Sequence, residues 1–152
     1  MSAYMTDPIG FLIADTARSM RRRFDERARA IGVTRPQWRT LVTLAREEGI
    51  HQGALAERLE VEPITLCRMI DRLVDAGLVE RRRHPTDRRV WTIYLTEKAR
   101  PLLGSIGSIA DALYATALEG ISASDRRNLT DTLERIRANL HAEPQTRETA
   151  HG

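Results

Sequence analysis

A mainly α-helical chain carrying one small β-hairpin is the fold class that the sequence predicts, on three observations. Apolar residues recur at helical spacing near both ends of the chain and through its middle. Two short β-like runs, Leu78–Arg83 and Val90–Leu95, flank the turn-forming segment His84-Pro85-Thr86-Asp87-Arg88-Arg89. Directly before that hairpin, two helical patterns are separated only by a turn at Glu60–Glu62. Helix, turn, helix and hairpin in that order describe a winged helix-turn-helix, with further helices N- and C-terminal to it.

Taken in order, residues 1–7 carry little pattern and are expected to fray. From Pro8 to about Ala30, Ile9, Leu12, Ile13, Met20 and Phe24 fall at helical spacing, so one long helix is expected. Arg21-Arg22-Arg23 within it reads as a solvated face. Ile31-Gly32-Val33 breaks that helix, and Thr34-Arg35-Pro36-Gln37 forms a capping box that starts the next. Trp38, Leu41, Val42 and Ala45 give the second helix a buried stripe ending near Gly49. His51–Leu59 is a short third helix. The fourth starts at Pro63, where a missing N–H costs nothing. Leu66, Ile70, Leu73 and Val74 form its apolar face, Gly77 stops it, and Thr65, Arg68, Asp71 and Arg72 lie opposite. In the second β-run, alternation turns Trp91, Ile93 and Leu95 inward and Thr92 and Tyr94 outward.

Beyond the hairpin, Thr96 is expected to cap a helix running to about Glu119, with Leu102, Leu103, Ile106, Ile109, Leu113 and Leu118 on its apolar face. Pro101 predicts a slight kink, and Gly104 and Gly107 suggest a closely packed neighbour. Ser122-Ala123-Ser124-Asp125 restarts the chain. Leu129, Leu133, Ile136 and Leu140 then make the narrow seam of a helix that packs against another helix. Glu143–Gly152 reads as a disordered tail.

A chain of 152 residues is one domain or compact subunit with room for a core. The net charge is only +3, but Lys98 is the single lysine, so the positive side chains are otherwise arginine. Arginine offers a planar fork of donors suited to phosphate and guanine. A codon bias would explain the number of arginines equally well. It would not explain why Arg81, Arg82, Arg83, Arg88 and Arg89 crowd one hairpin. No apolar run approaches the ~20 residues of a membrane helix, and no signal-peptide pattern is present, so a cytoplasmic location is expected. One cysteine excludes an internal disulfide framework. His51, His84, His141 and His151 lack zinc-ligand spacing, and no Ser/His/Asp set suggests a triad. No metal, cofactor or enzymatic activity is therefore expected.

The run D-R-L-V-D-A-G-L-V-E-R-R-R-H-P-T-D-R-R-V-W-T-I-Y-L-T-E-K-A-R resembles the wing region of MarR-type transcription regulators, above all their SlyA-like branch. The resembling pattern is Gly-Leu-Val, a basic strand, D-x-R, and a strand ending in Leu-Thr-Glu-Lys. It extends more thinly over roughly residues 8–142. The resemblance implies a homodimer that binds double-stranded DNA at a palindromic operator. It assigns residues 1–33 and 97–142 to a helical dimerisation region and 34–96 to the DNA-binding domain. It also implies release by a small aromatic carboxylate, and neither a cofactor nor a membrane partner. The alternatives are a monomer, an oxidant-responsive regulator acting through Cys67, and a winged helix used only for protein–protein contact.

On this reading, the start of the fourth helix meets base edges in the major groove. Arg68 is placed to bind guanine bidentately or else a phosphate, Thr65 lies beside it, and Ile64 is free to touch a thymine methyl. Arg72, one turn on, is a phosphate clamp or an ion-pair partner. Arg81, Arg82 and Arg83 either contact phosphates or face solvent. Arg88 or Arg89 enters a narrow minor groove, and the resemblance has Asp87 orient the wing by pairing with an arginine two residues on. For the effector, Arg18 and Trp38 fall where SlyA-like proteins hold a carboxylate and a ring, although a polar position one turn after the tryptophan is here Val42. Trp38 serves equally as an ordinary core residue, and Cys67 as a small packing residue.

Overall fold

A computed structural model of the chain describes residues 8–142. The readings of residues 1–7 and of Glu143–Gly152 as loose ends fall outside the described residues. Six helices and three strands follow in the order α1 (Ile9–Ala30), α2 (Arg35–Arg46), β1 (Ile50–His51), α3 (Gln52–Leu59), α4 (Pro63–Asp75), β2 (Val79–Arg83), β3 (Trp91–Leu95), α5 (Ala99–Ala117) and α6 (Ala123–Ala142). The chain divides into two compact units, Met1–Tyr114 and Ala115–Gly152. The mainly α winged helix-turn-helix of the sequence analysis is the architecture observed.

The larger unit is built around one apolar centre. Leu41 and Leu44 of α2, Leu55 of α3, Leu66 and Ile70 of α4 and Ile93 of β3 are all fully buried. Each such side chain contributes about 1.5–3 kcal/mol by leaving water. Thr34 opens α2 as the capping pattern requires: the Gln37 side chain accepts from its backbone N–H at 2.9 Å. The stripe of α2 lies on Thr40, Leu41 and Leu44, while Ala45, expected inside, is exposed. The buried face is thus centred on Leu41 and turned toward residue 40 rather than 45. Val74 of α4 is likewise 37 % exposed, at the edge of the face made by Leu66, Ile70 and Leu73.

The sheet has the order β1-β3-β2, both pairs antiparallel. Sequence periodicity missed β1, because two residues carry no period. Its presence makes β3 a central strand. Thr92, expected to face outward, is instead buried, lies opposite His51 and Arg82, and donates its hydroxyl to the Arg82 carbonyl at 2.9 Å. The entry to β1 needs a glycine: Gly49 has φ +82°, and a Cβ there would stand 2.8 Å from the Tyr94 hydroxyl.

Thr96 does not cap α5. Its hydroxyl donates to the Gly77 carbonyl at 2.6 Å, and the helix begins three residues later. No atom lies within 4 Å of a Cβ built on Gly104 or Gly107, so the close neighbour expected there is absent among the described residues. In the smaller unit, Ser122 caps α6 by accepting from the Asp125 N–H at 3.0 Å. No residue of α6 is buried: Leu129, Leu133 and Leu140 are 49 %, 41 % and 67 % exposed.

Helices α1 and α2 are clamped by Asp25, which accepts from Arg35 Nε at 2.7 Å and from the Trp38 indole N–H at 2.9 Å. Burial pushes the Asp25 carboxyl up, but the hydrogen bonds from Arg35 and Trp38, with the Arg35 and Arg29 charges, outweigh it and hold it below its ordinary value. A depressed carboxyl stabilises the fold above its unfolded pKa, and that stability is lost as pH falls through the folded value. Asp25→Ala is therefore expected to lower stability at pH 7 by about 1–2 kcal/mol. In urea unfolding, the gap from wild type should narrow below about pH 4.

Candidate nucleic-acid interface

Helix α4 exposes one face completely. Pro63 starts it, and Glu62 before it is extended. While Leu66, Ile70 and Leu73 anchor the underside, Ile64 (64 % exposed), Thr65, Arg68 and Arg72 stand on the outside. Among the described residues the side chains of Thr65, Arg68 and Arg72 make no hydrogen bond or ion pair. A well-anchored helix thus presents an unpaired hydroxyl and two unpaired guanidinium groups. The helix-turn-helix turn before it contains Glu60 at φ +54°, a left-handed conformation that costs a non-glycine residue about 1–2 kcal/mol. Backbone bonds from Glu60 N–H to the Glu57 carbonyl and from Val61 N–H to the Ala56 carbonyl hold it there.

The hairpin treats its arginines differently. Arg81 turns inward, with a side chain only 21 % exposed. It pairs with Asp71 of α4 at 2.6 Å, donates to the Cys67 carbonyl at 3.3 Å, and reaches Gln52 of α3 at 3.2 Å. It neither faces solvent nor stands free for a phosphate, the two roles expected of it. The reason is the two-residue period of a strand: Arg81 shares a face with buried Val79 and lies opposite Ile93. That signal was available in the sequence. Arg82 lies over the Tyr94 ring at 4.0 Å and pairs with Glu80. Arg83 lies over the Trp91 ring at 3.9 Å and donates to the Arg88 carbonyl. Arg88 is exposed, and its side chain has no hydrogen-bond or ion-pair partner among the described residues.

At the tip, the Asp87 carboxylate accepts from the Arg89 backbone N–H at 3.1 Å and from Arg89 Nε at 3.4 Å. The arginine two residues on from Asp87 is therefore its partner, and that side chain is 93 % exposed. His84, which sequence reasoning left unused, accepts from the Thr86 and Asp87 backbone N–H groups through Nδ1.

A cavity of ≈ 480 Å³ opens between α1, α2 and α5, with Met20, Phe24, Trp38, Arg39, Leu103 and Ile106 in its wall. Trp38 packs its ring against Phe24, centroids 4.5 Å apart, so it is at once a core residue and a cavity wall. Val42 lines the same space. Arg18 does not: it is exposed and pairs with Asp15 at 2.8 Å, while α1 offers the cavity Met20, Arg21 and Phe24. Four arginines line the cavity, Arg21, Arg39, Arg46 and Arg58, and of these Arg39 follows Trp38 on α2 and donates to the Leu59 carbonyl. Cys67 is half-buried, its sulfur 3.9 Å from Arg81. Among the described residues no group of histidine, cysteine and carboxylate side chains could hold a metal ion, and no helix is long and apolar enough to cross a membrane.

Residues 33–91, which run from the end of the α1–α2 turn into β3, match the MarR family. The chain is similar in structure to a MarR transcriptional regulator from Methanosarcina mazei Go1, with 31 % identity and a TM-score of 0.75, over 86 % of this chain and 94 % of that one. It is similar also to the transcriptional regulator PA3341, with 37 % identity and a TM-score of 0.78, over 89 % and 99 %. Wild-type MarR from E. coli in its apo form matches at 25 % identity and a TM-score of 0.75, over 87 % and 98 %. These matches span both the helix-turn-helix with its arginine-bearing wing and the helices on either side, and the chain belongs to the MarR family of transcriptional regulators.

Proposed function

We propose that the chain acts as a homodimer of the SlyA-like kind that binds a palindromic operator. The start of α4 enters the major groove, the wing tip enters the minor groove, and a small aromatic carboxylate releases the complex. The observation that carries this reading is the contrast between the two faces of α4. Leu66, Ile70 and Leu73 on its underside are fully buried, while Ile64, Thr65 and Arg68 stand outside, and the side chains of Thr65 and Arg68 have no polar partner among the described residues. A rigid helix with unsatisfied donors at its N-terminal end is what base reading requires. Arg72, Arg82 and Arg83 are assigned to phosphates, and Arg88 and Arg89 to the groove, with Asp87 setting the direction of Arg89. Arg81 is given a positioning role instead of a DNA contact. The test is binding to duplexes selected from a random pool, with a slope of log affinity against log salt that reports the phosphates neutralised. Arg68→Ala should weaken binding to the selected duplex by about 1–3 kcal/mol and change binding to random duplex less. Equal losses on both would make Arg68 a phosphate contact.

Assembly as a dimer is supported by large apolar side chains that stand exposed among the described residues: Leu12 and Ile13 on α1, and Leu129, Leu133 and Leu140 on α6. Two-fold pairing would set two α4 helices one turn of DNA apart. Leu133→Asp is expected to yield monomers by sedimentation, because a buried unpaired charge is costly. It should abolish binding to the full palindrome with α4 and the wing unaltered. A monomer that still gripped the palindrome tightly would end this proposal.

The effector reading rests on the cavity, where an apolar wall, the flat Trp38 ring and the Arg39 guanidinium converge. In this proposal Arg39 takes the carboxylate in place of Arg18. A ligand shifts the DNA equilibrium only if it prefers the DNA-incompetent form. Salicylate at millimolar level should lower affinity for the selected duplex, and Arg39→Ala should raise the concentration required by roughly tenfold or more. An unchanged complex across a panel of aromatic acids would remove the effector from the proposal.

A further inference from the structure

His84 stands where β2 ends and the wing tip begins. Its Nδ1 lies 3.3 Å from the backbone N of Thr86, 3.3 Å from that of Asp87 and 3.1 Å from the Thr86 hydroxyl. A backbone N–H can only donate, so Nδ1 must be the bare nitrogen of the ring, and the proton of neutral His84 sits on Nε2. The ring therefore clamps the turn from its first side, as Asp87 clamps it from the second through the Arg89 N–H. The backbone bonds from His84 N–H to the Val90 carbonyl and from Val90 N–H to the Asp87 carbonyl close the loop between them. Asp87 belongs to both clamps: its N–H goes to His84 and its carboxylate to Arg89.

We propose that His84 is a positioning residue that works only while uncharged, so that acid unlocks the wing tip and erodes the preference for operator over other duplex DNA. Protonation puts a hydrogen on Nδ1, which then confronts two N–H donors it had been accepting from. The charged and titratable groups around it are few. His51, at the end of β1, packs its ring against His84 with centroids 5.1 Å apart. Asp87 and Arg89 share the turn, Arg83 precedes it in β2, and Glu57 of α3 lines the cleft that His51 and Arg89 also line. Charging His84 beside His51 adds repulsion to the lost bonds. The same positive charge favours phosphates of any sequence, so it raises both affinities alike. The ratio of the two falls because the shaped wing is lost.

The proposal rests on the wing touching DNA, and the test keeps the two ideas apart. In the ¹⁵N-labelled full chain without DNA, the Thr86 and Asp87 amide resonances should move together as pH falls from 8 to 5.5. They should stay still in His84→Asn, whose side-chain oxygen can accept the same N–H groups without titrating. His51→Ala should keep the movement. The ratio of affinities for selected and random duplex, at fixed salt, should fall roughly tenfold over that range in wild type, the equivalent of two modest hydrogen bonds, and stay level in His84→Asn. Amides that do not respond in wild type, or a variant that loses specificity with acid as wild type does, would overturn the role of His84. Amides that titrate in a chain that binds no duplex at any pH would leave the clamp standing and overturn the DNA-binding proposal.

Discussion

Arg81 holds the hairpin and α4 together. One guanidinium, largely withdrawn from solvent, meets the Asp71 carboxylate, the Cys67 carbonyl and the Gln52 amide oxygen, and so joins β2 to α4 and α3. A charge in that position requires partners, since an unpaired buried guanidinium is far more costly than an exposed one. The donors of arginine lie in a rigid plane, so meeting three acceptors at once restricts the direction from which β2 can approach α4. The apolar core beneath fixes depth but tolerates sliding. The polar junction above it fixes register.

The far end of α4 is finished by the segment that follows β3. Gly77 takes φ +74° and lets the chain turn back, with Leu78 N–H bonding to the Leu73 carbonyl. Thr96 then supplies its hydroxyl to the Gly77 carbonyl, and Lys98 its ammonium to that of Ala76 at 2.8 Å. A cation at a helix C-terminus also meets the negative end of the helix dipole. The Leu-Thr-Glu-Lys segment thus closes the same helix that the wing flanks. Its distance from Gly77 in sequence is set by the length of the hairpin that must be crossed.

Strong local chemistry was legible in the sequence. The capping box at Thr34, the start at Pro63, the stop at Gly77 and the restart at Ser122 each involve residues within a turn of one another, and each stands where it was read. The pairing of Asp87 with the arginine two residues on is equally local, but it was the resemblance that implied it. What escaped was set by tertiary neighbours. Two residues of β1 carry no period, and without β1 the burial of Thr92 has no cause. Thr96 looked like a cap because its true partner, Gly77, is far away in sequence. Arg18 and Arg39 are both arginines near an aromatic patch. Only the packing of α1 on α2 decides which shares a cavity with Trp38. Arg81 is the instructive miss, since reading three consecutive arginines as one basic run obscured the alternation that Val79 begins.

That alternation bears on what a basic wing is. Five arginines give the hairpin its charge, but long-range attraction to phosphate would not distinguish them. Their surroundings do. Arg81 is held by three partners and is largely withdrawn from solvent; Arg82 and Arg83 lie over the rings of Tyr94 and Trp91, which retains charge while limiting motion. Arg89 is held at its base by Asp87 with its side chain in solvent, and Arg88 is free among the described residues. Ordering a free arginine costs up to about 2 kcal/mol of rotamer entropy, while an exposed ion pair contributes only about 0–1 kcal/mol to folding. The Asp87–Arg89 pair is thus nearly neutral for stability. A gradient runs along the hairpin, from an arginine that cannot move to one that is unrestrained. The anchored end keeps the strand in register with α4, and the loose end can adapt to whatever surface it meets.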